Sequence, residues 1–210
     1  MGNRAVITTK ENFENNGIGI YLHWNGGYDS VSALLKYCEL KGYRTPDADN
    51  YGWARLCQVI GNFFGGSTSI GIDIVSNLDC DNYDNGVYII EGWKIVDRKY
   101  FNGTEQKNHG MDKMLIDIDE SMPKDEQIGD YLRAVEIPTS EVKVGDMVLI
   151  MNYDGKVYKH KIMGFGTKDW LNGMNVVGVP YVDLYGDNEK GYDWNCNNYI
   201  RTETVRVVKE

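Results

Sequence analysis

The clearest chemical pattern in this chain is one glycine turn, Asn25-Gly26-Gly27-Tyr28-Asp29-Ser30. A glycine turn that leads into a helix leaves the first backbone N–H groups of the helix without partners, at the positive end of the helix dipole. Gly26 and Gly27 have no side chains that would keep an anion away from these donors. The pattern therefore indicates an anion site, and it is also the pattern of a tight strand-to-helix turn.

A strand and a helix must position this turn. Isoleucine and leucine alternate with smaller or polar residues from Ile18 to Leu22, which predicts a half-buried strand, and apolar residues recur with helical spacing from Val31 to Cys38. We expect Asp29 or Ser30 to cap this helix and Gly42 to end it in a left-handed conformation. The sequence thus predicts a strand–turn–helix unit with clear limits at both ends.

Aromatic and basic side chains of the N-terminal half could complete a nucleotide site around the turn. Trp24, Tyr28, Tyr51 and Trp53 could stack on a base, and Arg55 could pair with a phosphate. The predicted ligand-binding residues are therefore Trp24, Asn25, Gly26, Gly27, Tyr28, Asp29, Ser30, Tyr51, Trp53 and Arg55.

The turn Asn25–Ser30 resembles the Ser-Gly-Gly-x-Asp-Ser loop of the PP-loop ATP pyrophosphatases, which hold the phosphates of a nucleotide between a strand and a helix. The resemblance implies an ATP-using enzyme. The chain departs from the family where Asn25 replaces the serine. It departs again after Gly42, where a polar turn leads to another helix and the family fold has a second parallel strand.

The order of the predicted elements indicates an α+β fold, because helices are inserted between pairs of strands and do not follow every strand. We expect a mainly antiparallel sheet with two packed helices, then a helical segment, then a small SH3-like or curled antiparallel β domain. The predicted domains are residues 1–105, an acidic helical connector at 106–138, and the β domain at 139–210. The predicted strands and helices are Arg4–Thr9, Ile18–Trp24, Asp47 or Asp49 to Phe64, Ser69–Val75, a hairpin turned at Glu91-Gly92, Met111–Met122, Lys124–Val135, Glu141–Met151, Val157–Gly164, Val176–Tyr181 and Thr202–Val208.

The acidic residues suggest a second kind of function. The formal net charge is −9, and residues 106–138 alone carry four basic and eight acidic side chains. Such a segment is either a solvated face or a surface that docks on a basic protein. The candidate docking residues are Asp112, Asp117, Asp119 and Glu120. Direct nucleic-acid binding is not expected, since it needs a basic patch.

Cofactors, metals and membranes are not indicated by the sequence. His23, His109 and His160 are far apart, and the loop Leu78–Gly86 lacks the spacing of a calcium loop. The four cysteines form no Cys-x-x-Cys pair and are typical of reduced thiols in a cytoplasmic protein. No apolar run is long enough to span a membrane. The sequence shows no nucleophile with a recognisable base motif, so it does not indicate an enzyme. A homo-oligomer is compatible with the sequence.

Three stretches resemble a family of uncharacterised small acidic proteins from phages and mobile elements of Gram-positive bacteria. They are Tyr21–Ser30, Asp49–Phe64 and Asp84–Ile90. The resemblance implies a context, the bacterial host cell and its defence systems, and brings no catalytic residues with it. Our first hypothesis is a non-enzymatic protein that sequesters a nucleotide-like or phosphorylated defence signal. The alternatives are an acidic inhibitor of a basic nucleic-acid-binding defence protein, such as a CRISPR effector, and a PP-loop-like enzyme.

Overall fold

The computed structural model describes residues 2–67, 69–105, 110–151, 155–167, 175–182 and 199–208. The described α-helices are α1 (Lys10–Glu14), α2 (Tyr28–Leu40), α3 (Asn50–Phe64), α4 (Met111–Ser121) and α5 (Gly129–Arg133). The described strands are β1 (Ala5–Thr9), β2 (Ile18–Leu22), β3 (Ile70–Ile74), β4 (Val87–Glu91), β5 (Lys94–Lys99), β6 (Val135–Pro138), β7 (Met147–Met151), β8 (Val157–Phe165), β9 (Pro180–Val182) and β10 (Thr204–Val207). The predicted α+β class is confirmed.

The chain divides into two compact units, residues 1–129 and residues 130–210. Helix α4 belongs to the first unit, where it packs against α2 and α3. The three-part division expected from the sequence, into residues 1–105, 106–138 and 139–210, stays a prediction.

The first unit is built on a five-stranded sheet with the order β3-β2-β1-β4-β5. Neighbouring strands are antiparallel except β1 and β4, which run parallel. Ile7, Ile20 and Ile90 of the sheet are fully buried, as are Leu34 of α2 and Leu56 of α3. The parallel pair places the first residues of β4 beside the first residues of β1, at the edge of the sheet where β2 ends and the glycine turn begins.

Several predicted elements of the first unit are confirmed. Gly42 has a positive φ of 64° after α2, and α3 begins after Asp49 and ends at Gly65. The hairpin between β4 and β5 turns at Gly92, where φ is 59°. These positions are fixed by local chemistry, since a left-handed residue or a capping carboxylate acts within one turn of the chain.

Three local predictions for this unit are wrong. The sequence predicts a loop from Lys10 to Gly17, but this segment contains α1, because the Thr9 hydroxyl accepts the Asn12 N–H and caps a helical turn. Alternation of isoleucines predicts that the strand Ser69–Val75 is half-buried, but β3 is an edge strand whose Ile72 and Ile74 side chains are 51% and 42% exposed. Neither Asp29 nor Ser30 caps α2, because the helix already begins at Tyr28 and its N-cap is Gly27.

The predicted helix Lys124–Val135 is also wrong. A single 3-10 turn, Lys124–Glu126, is followed by the short α5, and Val135 already belongs to β6. The Ile128 N–H donates to the carboxylate of Asp119 at 2.7 Å, so it is not available for a helical hydrogen bond. A buried side chain of another helix thus interrupts the backbone pattern.

The second unit contains an antiparallel five-stranded sheet with the order β6-β10-β7-β8-β9. Its core includes Val148, Ile162 and Val205. The predicted strands Glu141–Met151 and Val176–Tyr181 are shorter, as β7 and β9, because glycine turns with positive φ at Gly145 and Gly178 precede them. The sequence also predicts a turn at Asp154-Gly155 and a long loop at Tyr185–Tyr199. Asp154 and all of this loop except Tyr199 lie outside the described residues.

Candidate ligand site at the start of α2

The chain leaves β2 at Leu22 and enters α2 at Tyr28 through a turn that only a few residue types allow. Asn25 has a φ of 54°, in the left-handed region that asparagine tolerates better than most residues. Two glycines follow, and the structure gives them different roles.

Gly26 is needed for packing. Its N–H donates to the Asn3 carbonyl at 2.7 Å, and its carbonyl accepts the Tyr88 hydroxyl at 2.8 Å. A Cβ atom at this position would lie 2.6 Å from the Asn3 carbonyl oxygen and 2.7 Å from Ala5 Cβ. Any side chain would push the turn away from β1, so the absence of a side chain at Gly26 has a structural reason.

Packing does not require a glycine at position 27. Its φ of −65° and ψ of 156° suit any residue, and a Cβ atom would meet the Asn3 side chain at 3.5 Å, an ordinary contact. Gly27 is the N-cap of α2, and no side chain caps the helix. Serine, aspartate or asparagine would stabilise the helix more at this position.

The first turn of α2 consequently keeps open donors. The first bond of the helix runs from the Val31 N–H to the Gly27 carbonyl at 3.0 Å. Among the described residues, the N–H groups of Tyr28, Asp29 and Ser30 have no hydrogen-bonded acceptor. Gly27, Tyr28 and Ser30 are half-buried, so part of this turn faces the surface.

Asp29 is the unusual group of this turn. The residue is only 9% exposed, and within the described part of the chain both of its carboxylate oxygens are buried and lack a hydrogen-bond partner. Farther along α2, by contrast, the buried Tyr37 has a partner for its polar group, because its hydroxyl donates to Asp119 of α4 at 2.8 Å. Burial of an unpaired carboxylate is unfavourable, and the helix dipole offsets only part of that cost.

The guanidinium of Arg98 is near the turn but is occupied by contacts within the protein. It stacks on the ring of Tyr88, with 3.4 Å between Cζ and the ring centroid, and it donates to Glu105 at 2.9 Å. Burial lowers the pKa of Arg98, and attraction to Tyr88 and Glu105 opposes that shift. Arg98 therefore fixes the Tyr88 ring, whose hydroxyl in turn holds the carbonyl of Gly26.

Of the predicted stacking residues, Trp24 and Tyr28 lie at the turn. Trp24 is 45% exposed and contacts His23 edge to face, with ring centroids 4.8 Å apart. Tyr28 is half-buried, and its ring centroid is 6.3 Å from that of Tyr88. An exposed indole is thus present one residue before the left-handed Asn25.

The structure does not bring Tyr51, Trp53 and Arg55 to this turn. Arg55 lies over the ring of Tyr43 at 5.0 Å, just beyond the C-terminal end of α2. The 13 residues of α2 separate the two places by about 20 Å, at 1.5 Å per residue. Tyr51 is 70% exposed there, and Trp53 is 7% exposed and belongs to the core.

The predicted docking residues all lie on α4 but differ in exposure. Asp112 and Glu120 are exposed, and Asp117 pairs with Lys113. Asp119 is 2% exposed and accepts hydrogen bonds from the Tyr37 hydroxyl and the Ile128 N–H. Its carboxylate holds α4 to α2 and is not part of a surface.

Asn3, Asn85 and Tyr88 border the turn and were not predicted from the sequence. The Asn3 side chain is the group that a Cβ atom at Gly27 would meet, and it accepts a hydrogen bond from the Asn85 side-chain amide. Asn3 precedes β1, whereas Asn85 precedes β4 and Tyr88 lies in it, and the parallel pairing of β1 with β4 brings these distant parts of the chain together. No local spacing signals that pairing.

Within the described ranges, no group of three or more histidine, cysteine, aspartate or glutamate side chains is placed to hold a metal ion. No described helix is both long and apolar enough to cross a membrane. No protein-family model, curated protein or solved structure matches the chain. The chemistry of the turn itself is therefore the basis for any functional assignment.

Proposed function

We propose that this chain is a non-enzymatic binding protein that holds a nucleotide-like or phosphorylated signal at the first turn of α2. In the phage and mobile-element context implied by the sequence resemblance, sequestration of that signal would antagonise a bacterial defence system. The observation that carries the proposal is Gly27, a helix N-cap with neither a capping side chain nor a structural reason to be glycine.

The open donors suit a phosphate group. The N–H groups of Tyr28, Asp29 and Ser30 point out of the helix end, where the dipole favours negative charge. A side chain at Gly27 would occupy the space in which a phosphate has to approach them. Trp24, 45% exposed beside the turn, provides an aromatic face for a base or another planar group.

Asp29 determines which phosphorylated ligands the turn accepts. Its carboxylate repels a phosphate, and its buried oxygens have no hydrogen-bond partner among the described residues. A ligand that brings a cation or a hydrogen-bond donor to Asp29 gains from the interaction, whereas a bare phosphate is opposed by it. Asp29→Asn therefore tightens the binding of a bare phosphate and weakens the binding of a metal–nucleotide complex.

A thermal-shift screen tests the proposal with inorganic phosphate, ATP with and without Mg²⁺, cyclic dinucleotides and ADP-ribose as probes. A probe at 100 times its dissociation constant stabilises the folded state by about 2.7 kcal/mol. At about 2–4 °C per kcal/mol for a chain of this size, the expected rise in Tm is several degrees.

Gly27→Val should abolish that rise, and Gly61→Val is the matched control. Gly61 lies in α3, and a Cβ atom there meets no other atom within 4 Å. The proposal fails if no probe raises the Tm, or if Gly27→Val responds to the probes as fully as Gly61→Val does. Release of pyrophosphate from ATP in the same samples would favour the PP-loop-like enzyme.

A further inference from the structure

Strand β3 forms one edge of the first unit's sheet and exposes apolar side chains. Ile72 and Ile74 are 51% and 42% exposed, although their partners across the β2–β3 ladder include the fully buried Ile20. Exposed isoleucines on an edge strand are unusual, because such an edge is a template for pairing with another strand.

The register of β3 shows which backbone groups face outward. The Val75 N–H donates to the Gly17 carbonyl at 2.9 Å, and the His23 N–H donates to the Ser69 carbonyl at 3.0 Å. Antiparallel ladders alternate between hydrogen-bonded and non-hydrogen-bonded pairs. The odd-numbered residues of β3 therefore bond to β2, and the backbone groups of Ile70, Ile72 and Ile74 face away from the sheet.

One of these outward donors is already used. The Ile74 N–H donates to the carboxylate of Asp73 at 2.7 Å. The N–H groups and carbonyls of Ile70 and Ile72 have no partner in the described β2–β3 register, whereas Ile74 is the N-cap of the 3-10 turn Val75–Asn77. A second strand that pairs with all three isoleucines must therefore take the Ile74 N–H from the Asp73 carboxylate.

We propose that β3 pairs antiparallel with β3 of a second copy of this chain, about a two-fold axis at Ile72. In that register Ile72 faces Ile72 of the second copy, and Ile70 faces Ile74. The segment Ile70-Gly71-Ile72-Asp73-Ile74 is self-complementary in this register. Asp73 faces Gly71, so the two carboxylates are not opposite each other, and like charges directly opposite would destabilise the pair.

The short contact and the net charge of −9 predict a weak dimer. Two copies repel each other at long range, and salt screens that repulsion. Raising the salt concentration should therefore increase the dimer fraction, whereas it would dissociate a dimer held by opposite charges.

Sedimentation velocity over a concentration series tests the proposal. The parent chain should show a concentration-dependent shift from monomer to dimer, and Ile72→Lys should raise the dissociation constant by about tenfold or more, because two lysines would meet at the axis. Val96→Lys is the matched control, since Val96 lies on β5 at the opposite edge of the sheet and is 50% exposed.

A cross-linking variant gives a second, independent result. Residues of a hydrogen-bonded antiparallel pair have Cα atoms about 5.5 Å apart, within the range that a disulfide spans. Ile72→Cys should form a covalent dimer on mild oxidation, and Val96→Cys should not. A parent chain that sediments as a monomer at every concentration, or a dimer that Ile72→Lys leaves intact, would overturn the proposal.

Discussion

Two helices of the first unit begin in opposite ways. At α3 the carboxylate of Asp49 accepts the Tyr51 N–H at 2.9 Å and the Gly52 N–H at 3.3 Å, and it pairs with Arg44 at 2.8 Å. At α2 the N-cap is Gly27, and Asp29 is buried without a hydrogen-bond partner among the described residues. An acidic residue stands near both helix starts, and only the one at α3 satisfies the donors of its helix.

This difference in capping is the basis of the proposed ligand site at α2. The cap of α3 satisfies the N–H groups of Tyr51 and Gly52, so these two donors are not open to a ligand. Helix α2 forgoes that stabilisation and holds a carboxylate where it costs free energy. Departures of this kind from the local rules of stability are expected at functional sites. Four substitutions test this contrast between the two helix starts.

Gly26→Val should give the largest loss of stability. The new side chain would overlap the Asn3 carbonyl and Ala5 Cβ, and overpacking of this kind costs about 3 kcal/mol or more. Urea unfolding followed by circular dichroism measures the change. Gly61→Val is the control, and a Gly26→Val chain as stable as that control would show that the turn can move away from β1.

Asp49→Ala should lower the free energy of unfolding by about 1 kcal/mol, the usual cost of a lost N-cap. The hydrogen bond from Arg44, together with those from the backbone, lowers the pKa of Asp49 below its ordinary 3.8. Its contribution is consequently present above pH 3.8 and is lost as the pH falls through the lowered pKa. Thermal melts of parent and variant at neutral and acidic pH should therefore converge at low pH, and equal melts at neutral pH would contradict the capping role.

Asp29→Ala should have the opposite sign. Removing a buried carboxylate that has no hydrogen-bond partner in the described part of the chain stabilises the fold more than the lost attraction to the helix dipole destabilises it, so the free energy of unfolding should rise by about 0.5–1 kcal/mol. The same urea titration measures it beside Asp49→Ala. A destabilised Asp29→Ala chain would mean that Asp29 supports the fold and is not kept for a ligand.

The sequence predicted the parts of this contrast that depend on neighbouring residues. The strand–turn–helix unit, the start of α3 after Asp49, which is one of the two predicted positions, and its end at Phe64 all follow from residues within one or two turns of each other. The predicted cap at Asp29 was wrong because Gly26 is held by Asn3 and Tyr88, which fixes where α2 can begin.

Long-range contacts account for the other differences. The parallel pairing of β1 with β4 brings Tyr88 to the turn, and α2 itself keeps Tyr51, Trp53 and Arg55 away from it. Likewise the burial of Asp119 depends on its contact with Tyr37, 82 residues away. Periodicity and turn chemistry describe each element and do not determine which elements meet.

The most direct test of the central claim is the pair of Tm values of Gly27→Asp, without any probe and with the phosphorylated compound that shifts the parent chain most. Aspartate at an N-cap stabilises a helix by a few tenths of a kcal/mol relative to glycine, and its carboxylate would fill and repel the phosphate position. If Gly27 leaves this helix open for a ligand, the Tm of Gly27→Asp without probe is equal to or above that of the parent, and the probe-induced rise is lost completely. A Gly27→Asp chain that keeps the rise, or that melts well below the parent, would contradict the claim that Gly27 leaves this helix open for a ligand.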